Sequence, residues 1–330
     1  MDGFISEFGL FLAKAITIVL ALALLGLLLR RRHSASAGHI QVTDINRQLE
    51  TAGDSIAAVR LAKPQRKRLL KQRRAARKDR QHESDAAVVY LLDFKGDIRA
   101  SAVASLREEI SAILQAAKPG DAVLLRLESA GGTVNRYGLA AAQLLRLRSA
   151  GLPLTVTVDS IAASGGYLMA ATADRIVASP FALVGSIGVI AQIPNFHRWL
   201  QARDIDWEQF TAGRYKRTVT LFGENTEEGR AKLREELEDI HAQFRSFVHT
   251  RRAGLDLDRV STGEAWLGSK ALELGLVDEL ATSDDLILAA CRKGTVLHVC
   301  YRRKLTLQER LQKGAQTAWD GVWNATSPYG

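Results

Sequence analysis

The chain has 330 residues, of which 47% are hydrophobic and 25% are charged. These proportions are typical of a globular protein of one or two domains, and they exclude a collagen-like or wholly disordered chain. Its two cysteines, Cys291 and Cys300, are too few for a disulfide-stapled scaffold or a cysteine-rich zinc module. The formal net charge of +9 by itself suggests nucleic acid or an anionic membrane as a partner.

The position of the positive charge favours the membrane. Residues 60–80 hold eleven Lys and Arg and a single acid, so this segment carries +10, and Arg30, Arg31 and Arg32 add three more. Subtracting these 13 charges from +9 leaves about −4 for the rest of the chain. The basic segment contains no aromatic residue that could stack on bases. We therefore expect no nucleic-acid partner, whereas anionic lipid headgroups attract basic segments next to a membrane.

The N-terminus predicts a membrane anchor. Residues 9–29 (GLFLAKAITIVLALALLGLLL) carry one charge, Lys14, and a helix of this length crosses a hydrocarbon core of about 30 Å. A cleaved signal peptide is the alternative, but the residues before the apolar run include Asp2 and Glu7 and no basic residue. The Lys and Arg excess follows the run, so the positive-inside rule places the body of the chain in the cytoplasm, with the periplasmic side as the alternative.

An alternating pattern of strands and helices begins near residue 86. After an anchor of residues 1–32, residues 33–85 are polar and basic and indicate a helical or disordered spacer. The alternation that follows is typical of an α/β fold with a parallel-type sheet covered by helices. The predicted elements in chain order are strand 88–94, helix 101–118, strand 122–127, helix 137–150, strand 154–158, helix 164–173, strand 175–178, helix 226–252, and a smaller helix and strand region at 269–274, 283–291 and 296–301. Asn225 and Glu228 are spaced as a capping box for the long charged helix. The predicted domain covers residues 86–304 and leaves a tail of 305–330.

Chemistry is expected at the carboxyl ends of two predicted strands, where sites form in open α/β sheets. ESAGG (128–132) follows the strand 122–127, and AASGGY (162–167) comes just after the strand 154–158. Ser164 stands at the start of a helix, where backbone N–H groups favour a developing negative charge, so it is a candidate nucleophile. Its oxyanion would need donors such as the N–H of Gly165 and one from Gly131 or Gly132. The alternative is that Ser164 only caps the helix and the glycines only form turns.

A serine nucleophile needs a base, and two kinds of candidate stay open. The histidines of the predicted body are His197, His241, His249 and His298, and none lies next to a glycine turn or an evident orienting carboxylate. A lysine can also serve when burial lowers the pKa of its amine towards neutrality. Lys216 precedes a largely apolar stretch, TVTLF (218–222), that could desolvate its amine, and an exposed surface lysine is the alternative.

Several long segments match a known family. They are EFGLFLAKAITIVLAL near the N-terminus, LDFKG, LRLESAGG, VDSIAASGGYLMA, VGSIGVIAQIPNF, TAGRYKRTVTLFGENTEEGR and TGEAWLGSKALELGLVDEL. On these segments the chain resembles the membrane-anchored serine peptidases of the signal-peptide peptidase A family, over nearly its whole length. The resemblance implies a ClpP/crotonase-like fold of repeated ββα units, preceded by one N-terminal transmembrane helix. It also implies a serine endopeptidase with a Ser–Lys dyad.

The resemblance implies roles for individual residues as well. It makes Ser164 in AASGG the nucleophile and Lys216 in GRYK the general base. Ser186 in VGSIGV matches the hydroxyl that orients the lysine. Gly132 and Gly165 match the two oxyanion donors.

One departure from the family pattern is Ala130, which replaces the proline of the usual turn. It leaves open which glycine N–H completes the oxyanion hole. The resemblance implies no metal or organic cofactor, and a homo-oligomeric ring in which the serine and the lysine can come from neighbouring subunits. It further implies a location in the bacterial inner membrane, contact with lipids through the N-terminal helix, and peptide substrates such as signal peptides, membrane-protein fragments or misfolded proteins.

Two other functions are weighed against the peptidase. A catalytically silent membrane scaffold could keep the same fold, although an intact dyad argues against it. An acyl-CoA enzyme of the crotonase class would use paired N–H groups and usually place carboxylates at the site, and the acids near the two glycine segments are Glu128 and Asp159. Such an enzyme needs neither Ser164 nor Lys216, so this pair favours the peptidase.

Overall fold

The computed structural model describes residues 38–82 and 87–303, together with Lys14, Ile16, Thr17 and Val19. Apart from those four residues, the predicted anchor 9–29 lies outside the described residues, and so does the predicted tail 305–330. Within the described part of the chain, no helix is both long enough and apolar enough to cross a membrane. Residues 40–301 form one compact unit, whereas the second unit, residues 1–39 and 302–330, is almost entirely outside the described ranges.

The described ranges contain ten strands and ten helices, numbered here in chain order. The strands are β1 His39–Asp44, β2 Val88–Gly96, β3 Ala122–Ser129, β4 Leu154–Val158, β5 Ile161–Ala163, β6 Arg175–Ala178, β7 Leu183–Gly185, β8 Ala265–Leu267, β9 Glu279–Leu280 and β10 Thr295–Arg302. The helices are α1 Ile45–Arg60, α2 Lys63–His82, α3 Val103–Ala116, α4 Val134–Ser149, α5 Gly165–Ala170, α6 His197–Gln201, α7 Glu227–Arg251, α8 Leu257–Val260, α9 Gly268–Glu273 and α10 Ser283–Lys293.

The strands form a large row and a small row that branches from it. The large row has the order β1-β10-β2-β3-β4-β6-β9, and its pairs from β10 to β9 are parallel. The small row, β5-β7-β8, joins β3 through a pair between Ser129 and Ala162, and β8 runs antiparallel to β7. The carboxyl end of β3 therefore lies beside β5, and each of these strands leads into one of the glycine turns.

Helices cover both faces of the large row. Along β2, Leu92 and Phe94 join one core cluster and Leu91 joins a second, because successive strand residues point to opposite faces. The first and larger cluster takes in the apolar sides of α3 and α4. The second cluster contains Ile287 of α10, with Ile45 at the start of α1 packed against it. The α/β prediction is confirmed, and the helices lie on both faces as expected for parallel strands.

The sheet takes in a segment that the sequence pattern assigns to the spacer. β1 lies at the edge of the large row beside β10, and α1 and α2 follow it. Asn46 in the first turn of α1 fixes this connection, because its Nδ2 donates to the carbonyl oxygens of Cys291 and Gly294 at 2.9 Å each. The N–H of Val296 donates in return to Asn46 Oδ1 at 2.8 Å. Part of residues 33–85 is thus ordered against the rest of the sheet.

The predicted capping box of the long helix is wrong by one residue. The residue that caps α7 is Thr226, whose Oγ1 accepts from the N–H of Gly229 at 3.1 Å. Asn225 does not cap the helix, because its Oδ1 accepts from the N–H of Thr220 at 2.7 Å. Asn225 therefore closes the preceding loop, and the helix begins at Glu227.

Candidate active site

Ser164 lies on a strained turn between β5 and α5. Its backbone has φ of 51° and ψ of −119°, in the left-handed half of conformational space that non-glycine residues rarely adopt. The turn is held because the Ser164 N–H donates to the carbonyl oxygen of Gly185 on β7 at 2.8 Å. Its side chain makes no capping hydrogen bond to α5, so the helix-cap alternative does not account for it. A sharp strand-to-helix turn of this kind exposes a serine hydroxyl for reaction.

Close packing explains the two glycines after Ser164. A Cβ on Gly165 would overlap the ring of Tyr137, and a Cβ on Gly166 would overlap the carbonyl oxygen of Ser129. Without side chains at these positions, the start of α5 approaches β3 and α4 directly. The first N–H groups of a helix have no acceptor within it, so the Gly165 N–H can donate to a group bound beside Ser164.

A second glycine turn packs against Ser164. Gly131 has φ of 91°, and a Cβ there would lie 2.8 Å from the Cβ of Ser164 and 2.7 Å from the nitrogen of Gly165. The Gly131 N–H already donates to Ser129 Oγ at 3.1 Å. Within the described ranges, the hydrogen bonds of the loops leave the N–H of Gly132 without an acceptor. Of these two N–H groups, the one on Gly132 is therefore free to bind an oxyanion.

The hydroxyl of Tyr137 joins the glycine turn after β3 to the turn after β2. Tyr137 on α4 is 0% exposed, and its hydroxyl donates to the carbonyl oxygen of Asp97 at 2.7 Å. Because its single proton is used there, it accepts from Ser129 Oγ at 2.6 Å, and Ser129 Oγ accepts from Gly131. Burial raises the pKa of Tyr137, which keeps the donor protonated. Tyr137 was not predicted as a site residue, because a tyrosine on the apolar side of a helix is typical of a core position. The sequence signal that could have identified it is a hydroxyl on an otherwise apolar helix face, which needs a buried hydrogen-bond partner.

An apolar cavity opens beside Ser164. Its volume is about 380 Å³, and Ser164, Gly132 and Gly165 lie in its wall. The remaining lining comes from α4, α5, α7 and the loop after β7, and consists of Val134, Tyr137, Gly138, Ala141, Leu168, Gly188, Val189, Ile190, Ile240, Gln243, Phe244 and Phe247. The cavity can receive an apolar side chain of a substrate next to the hydroxyl and the glycine N–H groups.

Lys216 lies outside this cavity in the single chain. It occupies the loop between α6 and α7, where its N–H donates to the carbonyl oxygen of Gly213 at 3.1 Å. Its side chain is exposed, and it is not among the residues that line the cavity. The apolar stretch that follows it is also partly open, since Leu221 and Phe222 are exposed. The structure thus brings the expected nucleophile and oxyanion donors together without the lysine.

Ser186 directly follows Gly185, the residue whose carbonyl oxygen accepts from the N–H of Ser164. It follows β7 with φ of 50°, and its N–H donates to the carbonyl oxygen of Glu264 at 2.7 Å. Its hydroxyl donates to the carbonyl oxygen of Gly263 at 3.1 Å. Ser186 is half-buried and does not line the cavity. Because Gly185 accepts from the Ser164 N–H, the two serines are held at a fixed separation by adjacent strands.

The other candidate bases and acids lie elsewhere. None of the cavity-lining residues is one of the four candidate histidines, which are His197, His241, His249 and His298. Glu128 pairs with Lys95 at 3.1 Å, and the carboxylate of Asp159 accepts from the N–H and hydroxyl of Ser283 at the start of α10. Across the described residues, no group of three or more His, Cys, Asp or Glu is placed to hold a metal ion.

A charged cluster joins β10 to β2 and β3. Arg126 Nε and Nη2 donate to the carboxylate of Asp93 at 2.6 and 2.9 Å, and His298 Nε2 lies 3.0 Å from Asp93 Oδ2. Burial alone raises the pKa of Asp93, but the interactions with His298 and Arg126 outweigh it and lower the pKa to about 2. No member of this cluster lines the cavity. Its effect is therefore on the stability of the sheet.

Comparisons with known proteins identify the family. The model described as "Peptidase family S49 N-terminal" matches residues 3–144, and the model "Peptidase family S49" matches residues 146–296. A protein of Haemophilus influenzae named "Probable protease SohB" is 44% identical over 332 residues, which cover 96% of this chain and 94% of that protein. A protein of the same name from Buchnera aphidicola subsp. Schlechtendalia chinensis is 56% identical over 202 residues, covering 61% of this chain and 66% of that protein.

Among solved structures, this chain is similar to a variant of a membrane-bound stomatin-specific protease in complex with a substrate peptide. The two are 14% identical with a TM-score of 0.42, and the match covers 69% of this chain and 96% of that chain. The family models and the long match to the Haemophilus influenzae protein make this chain a peptidase, a hydrolase of peptide bonds. It belongs to peptidase family S49, together with the proteases named SohB.

Proposed function

We propose that this chain is a serine endopeptidase in which Ser164 is the nucleophile and Lys216 the general base. The observation that carries the proposal is the strained Ser164, set in the wall of an apolar cavity beside the N–H groups of Gly132 and Gly165. Ser186 orients the lysine from the neighbouring strand. Membership of a peptidase family supports this assignment, and with it the ClpP/crotonase-like fold class.

The proposed reaction needs only groups of the protein and water. Ser164 Oγ attacks the carbonyl carbon of a peptide bond while Lys216 Nζ takes the hydroxyl proton. The N–H groups of Gly132 and Gly165 hold the oxyanion, and one such donor is worth about 2.7–4 kcal/mol of transition-state stabilisation. Lys216 then gives the proton to the leaving amine as the C–N bond breaks. Water, deprotonated by the same amine, releases the acyl group from Ser164.

The dyad is completed between chains in this proposal. Lys216 is exposed in its own chain and outside the cavity, so a homo-oligomeric ring would bring it to the Ser164 of a neighbouring copy. Contact between copies would also desolvate the amine, which favours the neutral form that accepts a proton.

The segment around Lys216 supports an interface between copies. Large apolar side chains are exposed along it, and such surfaces mark protein contacts. They are Ile190, Ile193, Phe196, Trp199, Ile205, Trp207, Phe210, Tyr215, Leu221 and Phe222. We therefore assign this surface to a second copy of the chain.

The proposed setting is a bacterial inner membrane. Residues 9–29 would span it once, and the basic residues after them would keep the peptidase body on the cytoplasmic side, with the periplasm as the alternative. An enzyme anchored in this way would meet signal peptides, membrane-protein fragments or misfolded proteins. The apolar cavity suits the side chains that such substrates carry.

Hydrolysis of an apolar reporter peptide in detergent tests the proposal. The variants are Ser164→Ala, Lys216→Ala and the two co-expressed, and Arg217→Ala is the matched control because Arg217 is the adjacent exposed cation in the same loop. Both single variants should lose nearly all turnover, and Arg217→Ala should keep it. Partial recovery in the mixed sample supports a dyad shared between chains.

Two outcomes would contradict the proposal. Full turnover in Ser164→Ala would remove the nucleophile from the mechanism. Equal turnover in Lys216→Ala and Arg217→Ala would exclude Lys216 as the general base. A parent chain that hydrolyses no peptide would instead support the catalytically silent scaffold.

A further inference from the structure

Helices α1 and α2 form a hairpin, called here the basic hairpin (45–82). α2 folds back along α1, since Arg73 Nη1 donates to the carbonyl oxygen of Glu50 at 3.1 Å and pairs with the carboxylate of Asp54. The first turn of α1 is tied to the sheet through Asn46. Beyond that turn the apolar side chains of α1 contribute no buried residue to the core.

An apolar stripe on α1 is open to solvent. Leu49, Ala52, Ile56 and Val59 follow one another at intervals of three or four residues, so they share one face of the helix. All four are exposed, Ile56 at 65% and Val59 at 89%. A helix of a soluble protein normally buries such a stripe against the core. The exposed stripe therefore has the character of a contact surface.

The other helix of the hairpin is strongly cationic. Residues 60–80 contain eleven Lys and Arg and one acid. Arg66, Lys67, Arg68 and Lys71 are exposed on α2. The hairpin thus joins an apolar stripe to a dense positive charge, which is the combination found in helices that lie in the plane of a membrane surface.

We propose that the basic hairpin lies on an anionic lipid surface, with the stripe of α1 at the acyl boundary and the cations of α2 on lipid phosphates. A second copy of the chain fits this surface less well, because two segments of +10 would repel each other. Nucleic acid would leave the apolar stripe unused, and the hairpin segment 60–80 has no aromatic residue for base stacking. This contact is separate from the predicted span 9–29 and does not depend on peptidase activity.

The test places an environment-sensitive fluorophore on the full chain reconstituted in vesicles. The label is attached at Val59→Cys in a Cys291→Ser, Cys300→Ser background, with Glu108→Cys on α3 as the reference position. The vesicles contain phosphatidylcholine alone or with phosphatidylglycerol. We expect the emission of the Val59 label to shift to a shorter wavelength with the vesicles that contain phosphatidylglycerol and not with phosphatidylcholine alone. High salt should reverse this shift. The emission of the Glu108 label should stay unchanged in all conditions.

Charge reversal on α2 provides the matched comparison. Arg66→Glu, Lys67→Glu and Lys71→Glu together should abolish the shift. Reversal of three exposed cations outside the hairpin, at Arg107, Arg259 and Lys270, should leave it intact. Amide hydrogen exchange on the unlabelled parent gives an independent readout. The amides of α1 should exchange more slowly on anionic than on neutral vesicles, by a factor of up to about ten.

Three results would overturn the proposal. A Val59 label that is buried to the same degree in detergent, neutral and anionic vesicles would indicate another protein segment or a second copy on the stripe. A label that stays exposed in all three, with unchanged α1 exchange, would exclude a surface contact. A shift produced by duplex DNA or RNA and not by anionic vesicles would assign the cations to nucleic acid.

Discussion

Replacing Tyr137 by Phe removes the hydroxyl that joins the turn after β2 to the glycine turn after β3. The hydroxyl accepts from Ser129 Oγ, so the variant leaves the buried hydroxyl of Ser129 without its acceptor, whereas the carbonyl oxygen of Asp97 keeps the N–H of Ala100. Leaving buried polar groups unpaired costs about 1–3 kcal/mol of unfolding free energy. For a domain of this size that corresponds to a fall in Tm of about 3–10 °C.

The same variant should slow the reaction. Ser129 without its tyrosine partner holds the N–H of Gly131 less firmly, and the next residue, Gly132, is the proposed oxyanion donor. Loss of one whole donor lowers kcat by about 10²–10³, so a loosened donor should lower it about tenfold. KM should change little, because the phenyl ring still lines the cavity.

Tyr90→Phe is the matched control for this experiment. Tyr90 is also buried, and its hydroxyl donates to Asp121 Oδ2 at 3.3 Å, at the end of β3 opposite Ser129. Asp121 keeps its hydrogen bonds from the N–H groups of Val88 and Lys118. Thermal unfolding and reporter-peptide kinetics, measured well below the Tm, should show kcat unchanged in Tyr90→Phe. Equal kcat losses in the two variants, or a Tyr137→Phe variant with the parent's Tm and kcat, would refute the reasoning.

Three further perturbations test other parts of the structure. Gly132→Ala adds a Cβ that overlaps the carbonyl oxygen of Ile98, so the turn must move and kcat should fall by about 10²–10³ while the circular dichroism spectrum is kept. Gly138→Ala meets nothing within 4 Å and should raise stability by about 0.5–1 kcal/mol in urea unfolding, whereas Gly138→Leu should narrow the cavity and raise KM for reporters with a bulky apolar side chain. Asp93→Asn should lower stability at neutral pH. The pKa of Asp93 is lowered, so its contribution is present above pH 3.8 and lost as the pH falls to about 2, and the urea midpoints of parent and variant should converge in that window.

The large sheet was readable from sequence because its strands are local patterns. The runs that form β2, β3, β4 and β6 are apolar and bounded by turn residues, and the predicted helices between them lie within a few residues of the observed bounds. β5, β7 and β8 have three residues each, which is too short for any periodicity to be visible. β1 was not predicted from the sequence, because its position in the sheet depends on β10, which is about 250 residues away in the chain.

The candidate site shows the same division between local and distant information. Ser164 and its glycines were found because a strand, a small-residue turn and a helix follow one another in sequence. Tyr137 was missed, because its role depends on contacts with Asp97 and Ser129 on two other segments. The place of Lys216 relative to Ser164 could not be read at all, since an exposed loop leaves it undetermined by the packing of its own chain.

The join between the two rows of strands divides the candidate site mechanically. Ser164 and Ser186 belong to the small row, where adjacent strands fix their spacing, whereas Gly132 follows β3 of the large row. The two rows meet through the Ser129 and Ala162 pair. A force applied to the small row, for example through the apolar loop that follows β7, would carry both serines together and change their distance to Gly132. Such a force would therefore change the distance from Ser164 to the proposed donor Gly132, while the separation of the two serines would stay the same.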